Sequence, residues 1–299
     1  MRNPIRASEV FPDEAFPLEF RRHDDHKDTS VHSHEFYELV IILAGHGRHI
    51  TDREEYPIAA GDVFLLRGDM KHGYAGTARM TLVNILFDPK RLGLPMGYLQ
   101  DVAGYHALFH VEPQLRAQDR FRNRLRLDEK ELAEAAGMIV RLQRELERKR
   151  PGYRFQACAE LMDLVDFLSR CYSHVNRHSD RSFLRVSEVL SYIEQHYREP
   201  LTVRQLTQIA HMSESTLLRT FHRVLGRTPI EHVIRLRVMR AAELLRGDTR
   251  ITEAAFECGF SDSNYFSRQF RQVMGVSPRQ FRERGRPAGR RSQPVNPSR

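Results

Sequence analysis

Apolar positions repeat with two different periods along this chain, and the change falls near Pro89. Before it, short apolar runs alternate with turn residues. Tyr37-Glu-Leu-Val-Ile-Ile-Leu43 gives way to Ala44-Gly-His-Gly47, Arg48-His-Ile-Thr51 leads to Tyr56-Pro-Ile58, and Gly61-Asp62 precedes Val63-Phe-Leu-Leu66. The run Met80-Thr-Leu-Val-Asn-Ile-Leu-Phe87 stops at Asp88-Pro89, where proline removes a ladder donor. Short strands at this spacing predict a β-barrel or sandwich over residues 1–95. Beyond it the period lengthens to three or four. Leu132, Ala135, Ala136, Ile139, Leu142 and Leu146 form one series, and Cys158, Leu161, Met162, Val165, Leu168 and Tyr172 another, predicting two amphipathic helices broken at Arg150-Pro-Gly152. An apolar stripe needs a covering surface; a second copy of the chain supplies it in a homodimer, and packing within the chain is the alternative. Residues 96–173 are therefore read as a helical dimerisation region, and the polar, aperiodic stretch 174–184 as a linker.

Between Leu201 and Phe281 the chain repeats itself. Leu201-Thr-Val-Arg-Gln-Leu206 aligns with Ile251-Thr-Glu-Ala-Ala-Phe256, Met212-Ser213 with Phe260-Ser261, Arg219-Thr-Phe221 with Arg268-Gln-Phe270, and Gly226-Arg-Thr-Pro229 with Gly275-Val-Ser-Pro278. Each copy reads as a short helix, a turn, and a second helix opened by a Ser or Asp cap, which is the pattern of a helix-turn-helix. In the second copy Ala255 allows close helix contact and Gly259 supplies a turn with φ > 0. The first has Thr207 and His211 there, yet keeps the apolar spacing of Leu206, Ile209, Leu217 and Phe221. Thr228-Pro229-Ile-Glu231 and Ser277-Pro278-Arg-Gln280 each combine a capping box with proline at the first helical position, so a further helix follows each copy. Ile230, Ile234, Val238, Ala241 and Leu245 give the first of these an apolar face roughly 24 Å long, a rod able to hold two recognition helices about one DNA turn apart.

Charge sharpens this picture. From Arg181 onward the chain carries 21 Arg, no Lys and 11 acids, whereas residues 1–180 hold 26 basic and 28 acidic side chains. The excess of a chain with net charge +8 is thus C-terminal, where Arg forks match phosphate oxygens and released counterions favour a polyanion. Cys158, Cys171 and Cys258 are odd in number and lack metal-type spacing, so they read as reduced, buried thiols. The N-terminus has no apolar run of signal-peptide type, and Leu39 to Ala44 is too short to span a bilayer. A cytoplasmic protein with no membrane partner is expected.

The string Gly259-Phe-Ser-Asp-Ser-Asn-Tyr-Phe-Ser-Arg-Gln-Phe-Arg271, followed by Gly275-Val-Ser-Pro-Arg-Gln-Phe281, resembles the DNA-binding domain of the AraC/XylS family of bacterial transcription regulators. The resemblance assigns residues 185–284 to that domain and implies recognition helices in successive major grooves of double-stranded DNA. Carried over by position, the contacts fall on Ser213, Ser215, Thr216 and Arg219 in the first helix-turn-helix and on Asp262, Ser263, Asn264 and Arg268 in the second. Arg can grip guanine with two bonds and Asn adenine, while Ser and Thr suit base or phosphate. Arg223 and Arg271 are candidates for phosphate. Asp262 can cap its helix, accept from cytosine, or do both. The tail, 285–299, is Pro, Gly, Ser and Arg with almost nothing apolar, and is expected to be disordered.

His32-Ser-His34-Glu-Phe-Tyr-Glu38, with His72 later, resembles the first metal-ligating motif of cupin barrels. The second motif departs from that pattern: Arg67-Gly-Asp69 lacks a proline and Gly76 stands in place of Asn. These groups admit three readings: an effector pocket of His32, His34, Glu38, His72 and Asn84 for a polar, sugar-like molecule; a divalent metal on His32, His34, Glu38 and His72; or core histidines with satisfied hydrogen bonds. Arg48 and His49 are further rim candidates. No cofactor is required by the first. The fold class expected is α+β: a cupin-like β-barrel with two amphipathic helices, then an all-α domain with two helix-turn-helix units. This is the family's sugar-sensor arrangement. Ser261-Asp-Ser-Asn264 and Leu82-Val-Asn-Ile-Leu86 with Pro89-Lys-Arg91 are similar to the L-rhamnose-responsive members. The function expected is a homodimeric, non-enzymatic activator of carbohydrate catabolism genes that works with RNA polymerase. A metal-dependent cupin enzyme on a DNA tether is the rival, but no second cluster of acids or bases accompanies the histidines. A constitutive nucleoid-type binder would leave most of the chain unexplained.

Overall fold

The computed structural model describes residues 4–51, 54–68, 70–117, 124–174 and 182–285. The chain divides into two compact units, Met1–Ser191 and Tyr192–Arg299.

In the first unit a single turn, α1 (Ala7–Val10), precedes β1 (Leu18–His23), β2 (Thr29–His32), β3 (Tyr37–Ile50), β4 (Glu55–Ala59), β5 (Asp62–Arg67) and β6 (His72–Phe87). Then come α2 (Ala103–His106), a π-helical segment (Ala107–Val111), α3 (Glu112–Ala117), β7 (Leu125–Arg126), α4 (Glu129–Arg148) and α5 (Tyr153–His174). The long antiparallel pair β3 and β6 organises the sheet, from Tyr37 opposite Phe87 to Ile50 opposite Gly73. Their register slips between Ile42 and Arg48. There Gly45 has φ +73, and a Cβ on it would lie 2.2 Å from the Arg79 carbonyl oxygen, so only glycine lets the two backbones approach at this bend. On one side of the bend the strand order is β1-β6-β3-β5-β7; on the other, β2 joins β6 and β4 joins β3. Val40, Ile42, Phe64, Leu66, Met80 and Leu82 meet Tyr56, Ile58 and Tyr74 from beyond the bend in one cluster, which defines the inner face.

The sheet expected from the strand spacing is present and antiparallel, but it is open where a barrel was expected. Among the described residues no pairing joins the ends of the path, and β7, with two residues, is too short to carry the ladder round. The opposite face, with Leu39, Ile41, Val63, Leu65, Val83 and Ile85 all fully buried, is covered by helices: α3 and the π segment lie against β5, and α4 against β1. Burial on both faces is why Leu39 to Ile42 is a continuous apolar run and not an alternation.

Helix α4 starts in a capping box: the Asp128 carboxylate accepts from Lys130 N and Glu131 N, both at 2.9 Å, and the Glu131 carboxylate accepts from Asp128 N. It packs on α5, and Arg141 of α4 bridges to Glu160 at 2.8 Å and Asp163 at 3.1 Å. Ala135, Ile139 and Leu142 of α4 and Ala157, Leu161, Val165 and Leu168 of α5 are all buried, and the two helices pack on each other inside the unit. The stripe read in the sequence as seeking a second copy is therefore largely occupied within the chain. Val140 and Phe155 remain exposed instead.

The stretch read as a linker contains the end of α5 at His174 and the start of α6 (Ser182–His196); 175–181 lie outside the described residues, as do 286–299 of the tail and Asp69. The division between the units falls within α6. The second unit continues with α7 (Val203–Ala210), α8 (Glu214–Leu225), α9 (Pro229–Leu244), α10 (Ile251–Glu257), α11 (Ser263–Met274) and α12 (Pro278–Gly285). The 16-residue α9 contacts α7, α8, α10 and α11, joining the two helix-turn-helix pairs in one body. The second pair closes over Val238, Ala241, Ala242, Leu245, Phe260, Phe266 and Phe270.

Candidate effector and DNA-binding sites

Glu38 lies on the inner face of β3, two residues before Val40 and four before Ile42, because side chains alternate along a strand. Among apolar neighbours it is buried, as are His34 and His72. His34 Nε2 stands 2.9 Å and His72 Nε2 3.4 Å from the same oxygen, Glu38 Oε2, yet neither nitrogen has a partner aligned for a hydrogen bond. The other ring nitrogens are fixed. His34 Nδ1 faces the Phe36 carbonyl at 2.8 Å and His72 Nδ1 the Met70 carbonyl at 3.1 Å. A carbonyl only accepts, so each Nδ1 carries a proton and leaves Nε2 as the ring atom that faces Glu38. Burial alone would push the Glu38 carboxyl up, but the two imidazoles outweigh it and hold the group well below the usual carboxylate range.

Of the other sequence candidates, His32 pairs across the ladder with His72 and its ring lies 4.3 Å from that of His72, but it is outside the convergent trio and only half-buried. Burial, and then the neighbouring His72, lower its pKa. Asn84 sits opposite Val40 and opposite Arg21, on the same inner face as Glu38, and its buried Oδ1 has no hydrogen-bond partner. His49 is fully buried with its ring stacked 6.0 Å from His72; Arg48 is on the surface, paired with Glu55 at 2.9 Å. Sequence reading missed His26. It precedes β2, lies 4.9 Å from the Tyr74 ring, and has its pKa lowered by burial. Only the fold brings it near, since no period links a turn residue to a strand it touches from outside. A cavity of about 480 Å³ opens at the ends of β3, β5 and β6, lined by Phe36, Tyr37, Arg67, Met70 and Lys90 among others.

In the second unit the two turns are built differently. α7 is opened by a capping box on Thr202 and closed by His211 at φ +48, and α8 is then opened by Ser213, whose hydroxyl accepts from Thr216 N. α10 leads through Gly259 at φ +84 to Asp262, which accepts from Asn264 N at 2.6 Å and Tyr265 N at 2.7 Å. Those two amide donors hold the Asp262 carboxyl below its ordinary range. Ser213 and Asp262 thus act as caps. Ser215, Arg219, Asn264, Arg268 and Arg271 are exposed, and Thr216, Ser263 and Arg223 half-buried. Arg268 lies 5.8 Å above the ring of the exposed Tyr265, three residues earlier, which sequence reading did not single out. Leu217, Phe221, Phe266 and Phe270 are fully buried core.

Residues 17–165 match the family described as AraC-like ligand binding domain, and residues 206–284 match the helix-turn-helix domain family. The HTH-type transcriptional activator RhaS of Escherichia coli O81 is 30% identical over 260 residues, covering 86% of this chain and 88% of its own. This chain belongs to the AraC family of transcription regulators. The RhaS activator of Escherichia fergusonii is 29% identical over 84% of this chain and 87% of its own. Among solved structures, the DNA-binding domain of AdpA in complex with a target DNA is 32% identical over 33% of this chain and 91% of that one, with a TM-score of 0.32. The relatives of this AraC-family chain are transcriptional regulators, and it carries their two parts in order: a ligand-binding domain, then a DNA-binding helix-turn-helix domain. No helix among the described residues is long and apolar enough to cross a membrane.

Proposed function

We propose that this chain activates carbohydrate catabolism genes when a small, sugar-like effector binds its N-terminal unit. The observation that carries the reading is the match to RhaS activators through both parts of the chain. The inner face of the sheet supports it: Asn84 Oδ1 and the His34, Glu38 and His72 cluster are polar, buried and incompletely bonded, as groups awaiting a hydroxylated ligand would be, with His32 at their edge. On DNA, Arg219, Ser215 and Thr216 of α8 and Arg268, Asn264 and Ser263 of α11 face bases in successive major grooves, while Arg223 and Arg271 hold phosphate. Ser213 and Asp262 set the angle of those helices as caps and touch DNA at their N-terminal ends. The chain works as a dimer through the helical region at 96–173, including exposed Val140 and Phe155, and recruits RNA polymerase.

A panel of monosaccharides tested by thermal unfolding checks the effector step. A ligand bound only by the folded state raises the midpoint, by about 2.7 kcal/mol of stability at one hundred times its Kd. One sugar is expected to do so, and Asn84→Ala to weaken its effect; a flat response to every sugar contradicts the effector class.

A further inference from the structure

The cavity of about 480 Å³ at the ends of β3, β5 and β6 is lined by two cations, Arg67 and Lys90, and two anions, Glu35 and Asp88. Among the described residues no ion pair joins any two of the four. Strand order explains the placement. β3 runs between β5 and β6, with Tyr37 opposite Arg67 on one side and opposite Phe87 on the other. Strands lie about 4.8 Å apart, so Arg67 and Asp88, the residue after Phe87, stand about 10 Å from each other across the backbone of Tyr37. Tyr37 and Arg67 alternate with the paired Glu38 and Leu66, which puts them on the helix-covered face and not on the inner one. Helix α3 supplies Pro113 and Gln114 as a further wall. Each charge keeps bonding capacity. The Arg67 guanidinium lies 5.2 Å over the Tyr37 ring and gives one Nη1 bond to the Phe109 carbonyl at 3.0 Å, which leaves in-plane donors for a carboxylate. Asp88 Oδ1 accepts from Lys90 N at 2.9 Å and Arg91 N at 3.2 Å, which leaves Oδ2. Glu35 Oε2 accepts from Ala7 N at a long 3.4 Å, which leaves Oε1.

We infer that this cavity binds a small zwitterion of the α-amino-acid class with an apolar side chain, its carboxylate on Arg67 and Lys90 and its ammonium on Asp88 and Glu35. An anion alone would meet the repulsion of Glu35 and Asp88, and a cation alone that of Arg67 and Lys90. A molecule that carries both signs on neighbouring groups answers all four. Phe36, Met70, Pro89 and Pro113 line the remainder and suit an apolar side chain. The volume is that of a small-molecule site, for which about 300–1,000 Å³ is usual. The cavity is separate from the inner face on which the sugar reading rests, so either can fail alone. Its occupancy reaches the helices that cover the sheet. Arg67 ties β5 to Phe109 of the π segment, and α3 follows that segment directly. A ligand that engages Arg67 and touches α3 therefore tightens both segments against β5.

The test uses the full chain and isothermal titration with L-leucine, L-methionine and L-phenylalanine. Each is compared with its N-acetyl derivative, which lacks the ammonium, and its amide, which lacks the carboxylate. One-to-one binding of at least one free amino acid is expected, with a Kd of about 1 mM or tighter and slower amide exchange at Leu115 of α3. Both derivatives are expected to bind at least about tenfold more weakly, since each leaves two wall charges unanswered. Arg67→Gln and Asp88→Asn should weaken the free amino acid to the same degree, while the exposed His46→Gln and Arg268→Ala leave it unchanged. Should either cavity variant fail to fold, the derivatives decide on the natural sequence. A Kd weaker than about 10 mM for all three free amino acids overturns the site. So does a derivative that binds as well as its parent, binding that survives both Arg67→Gln and Asp88→Asn, or binding that is lost in Arg268→Ala. A sugar-induced rise in thermal midpoint that persists in Arg67→Gln leaves the effector reading standing even then.

Discussion

In the first helix-turn-helix the chain leaves α7 through His211, a residue with a side chain held at φ +48, whereas in the second it leaves α10 through Gly259 at φ +84. A Cβ at Gly259 would lie 2.5 Å from the Arg198 carbonyl oxygen, but His211 is exposed. The second turn is thus closed on by the backbone of Arg198, just after α6, and admits glycine alone, while the first, open to solvent, tolerates the strain of a side chain in the left-handed region. The caps differ in the same sense. Asp262 brings a full charge to two amides, and Ser213 a hydroxyl to one. The second unit is held by tighter local constraints, and the first by burial of Leu206, Leu217, Phe221 and Val224.

The largest effects should be the ones the two units share. Phe221→Ala and Phe270→Ala, each removing a fully buried ring, are expected to cost about 3–5 kcal/mol in denaturant unfolding; a loss confined to one unit would break the symmetry of their cores. Gly259→Ala comes next, at about 2–4 kcal/mol from combined strain and overlap, and a neutral result would mean the Arg198 carbonyl yields easily. For DNA affinity, Arg219→Ala and Arg268→Ala should each lose about 1–3 kcal/mol and alter preference at separate positions. Identical shifts at the same base pair would merge the two units into one reading head. Asp262→Ala and Ser213→Ala should cost about 1 kcal/mol each by thermal unfolding, the former being the larger. Smallest and opposite in sign, His211→Gly should stabilise by about 0.5 kcal/mol, because glycine occupies the left-handed region without a Cβ penalty.

Much of the DNA-binding unit was legible in the sequence because its determinants are local. Caps, a proline at the first helical position and a glycine in the turn act within a few residues, and Thr228-Pro229-Ile-Glu231 forms the capping box its spacing predicts. The effector unit was less so. The alternation of Glu38, Val40 and Ile42 shows one face, but that His34 and His72 aim at one oxygen of Glu38 depends on the β3–β6 register and on the bend at Gly45. His26 reaches Tyr74 only through tertiary packing. The stripe of Ala135, Ile139 and Leu142 has the same period whether its partner is α5 or another chain, so periodicity could not choose between them. The open path of the sheet depends on how short β7 is, and Leu125-Arg126 carries no pattern of its own.

The central claim, that two linked helix-turn-helix units read DNA as a sequence-specific regulator, is tested most directly by selecting bound duplexes from a random pool at physiological salt. The account predicts an enriched site with two short motifs about one helical turn, roughly 10 base pairs, apart, with Asn264→Ala relaxing one motif and Arg219→Ala the other. Binding without enrichment of any sequence, or a single motif indifferent to one of the two substitutions, would contradict it.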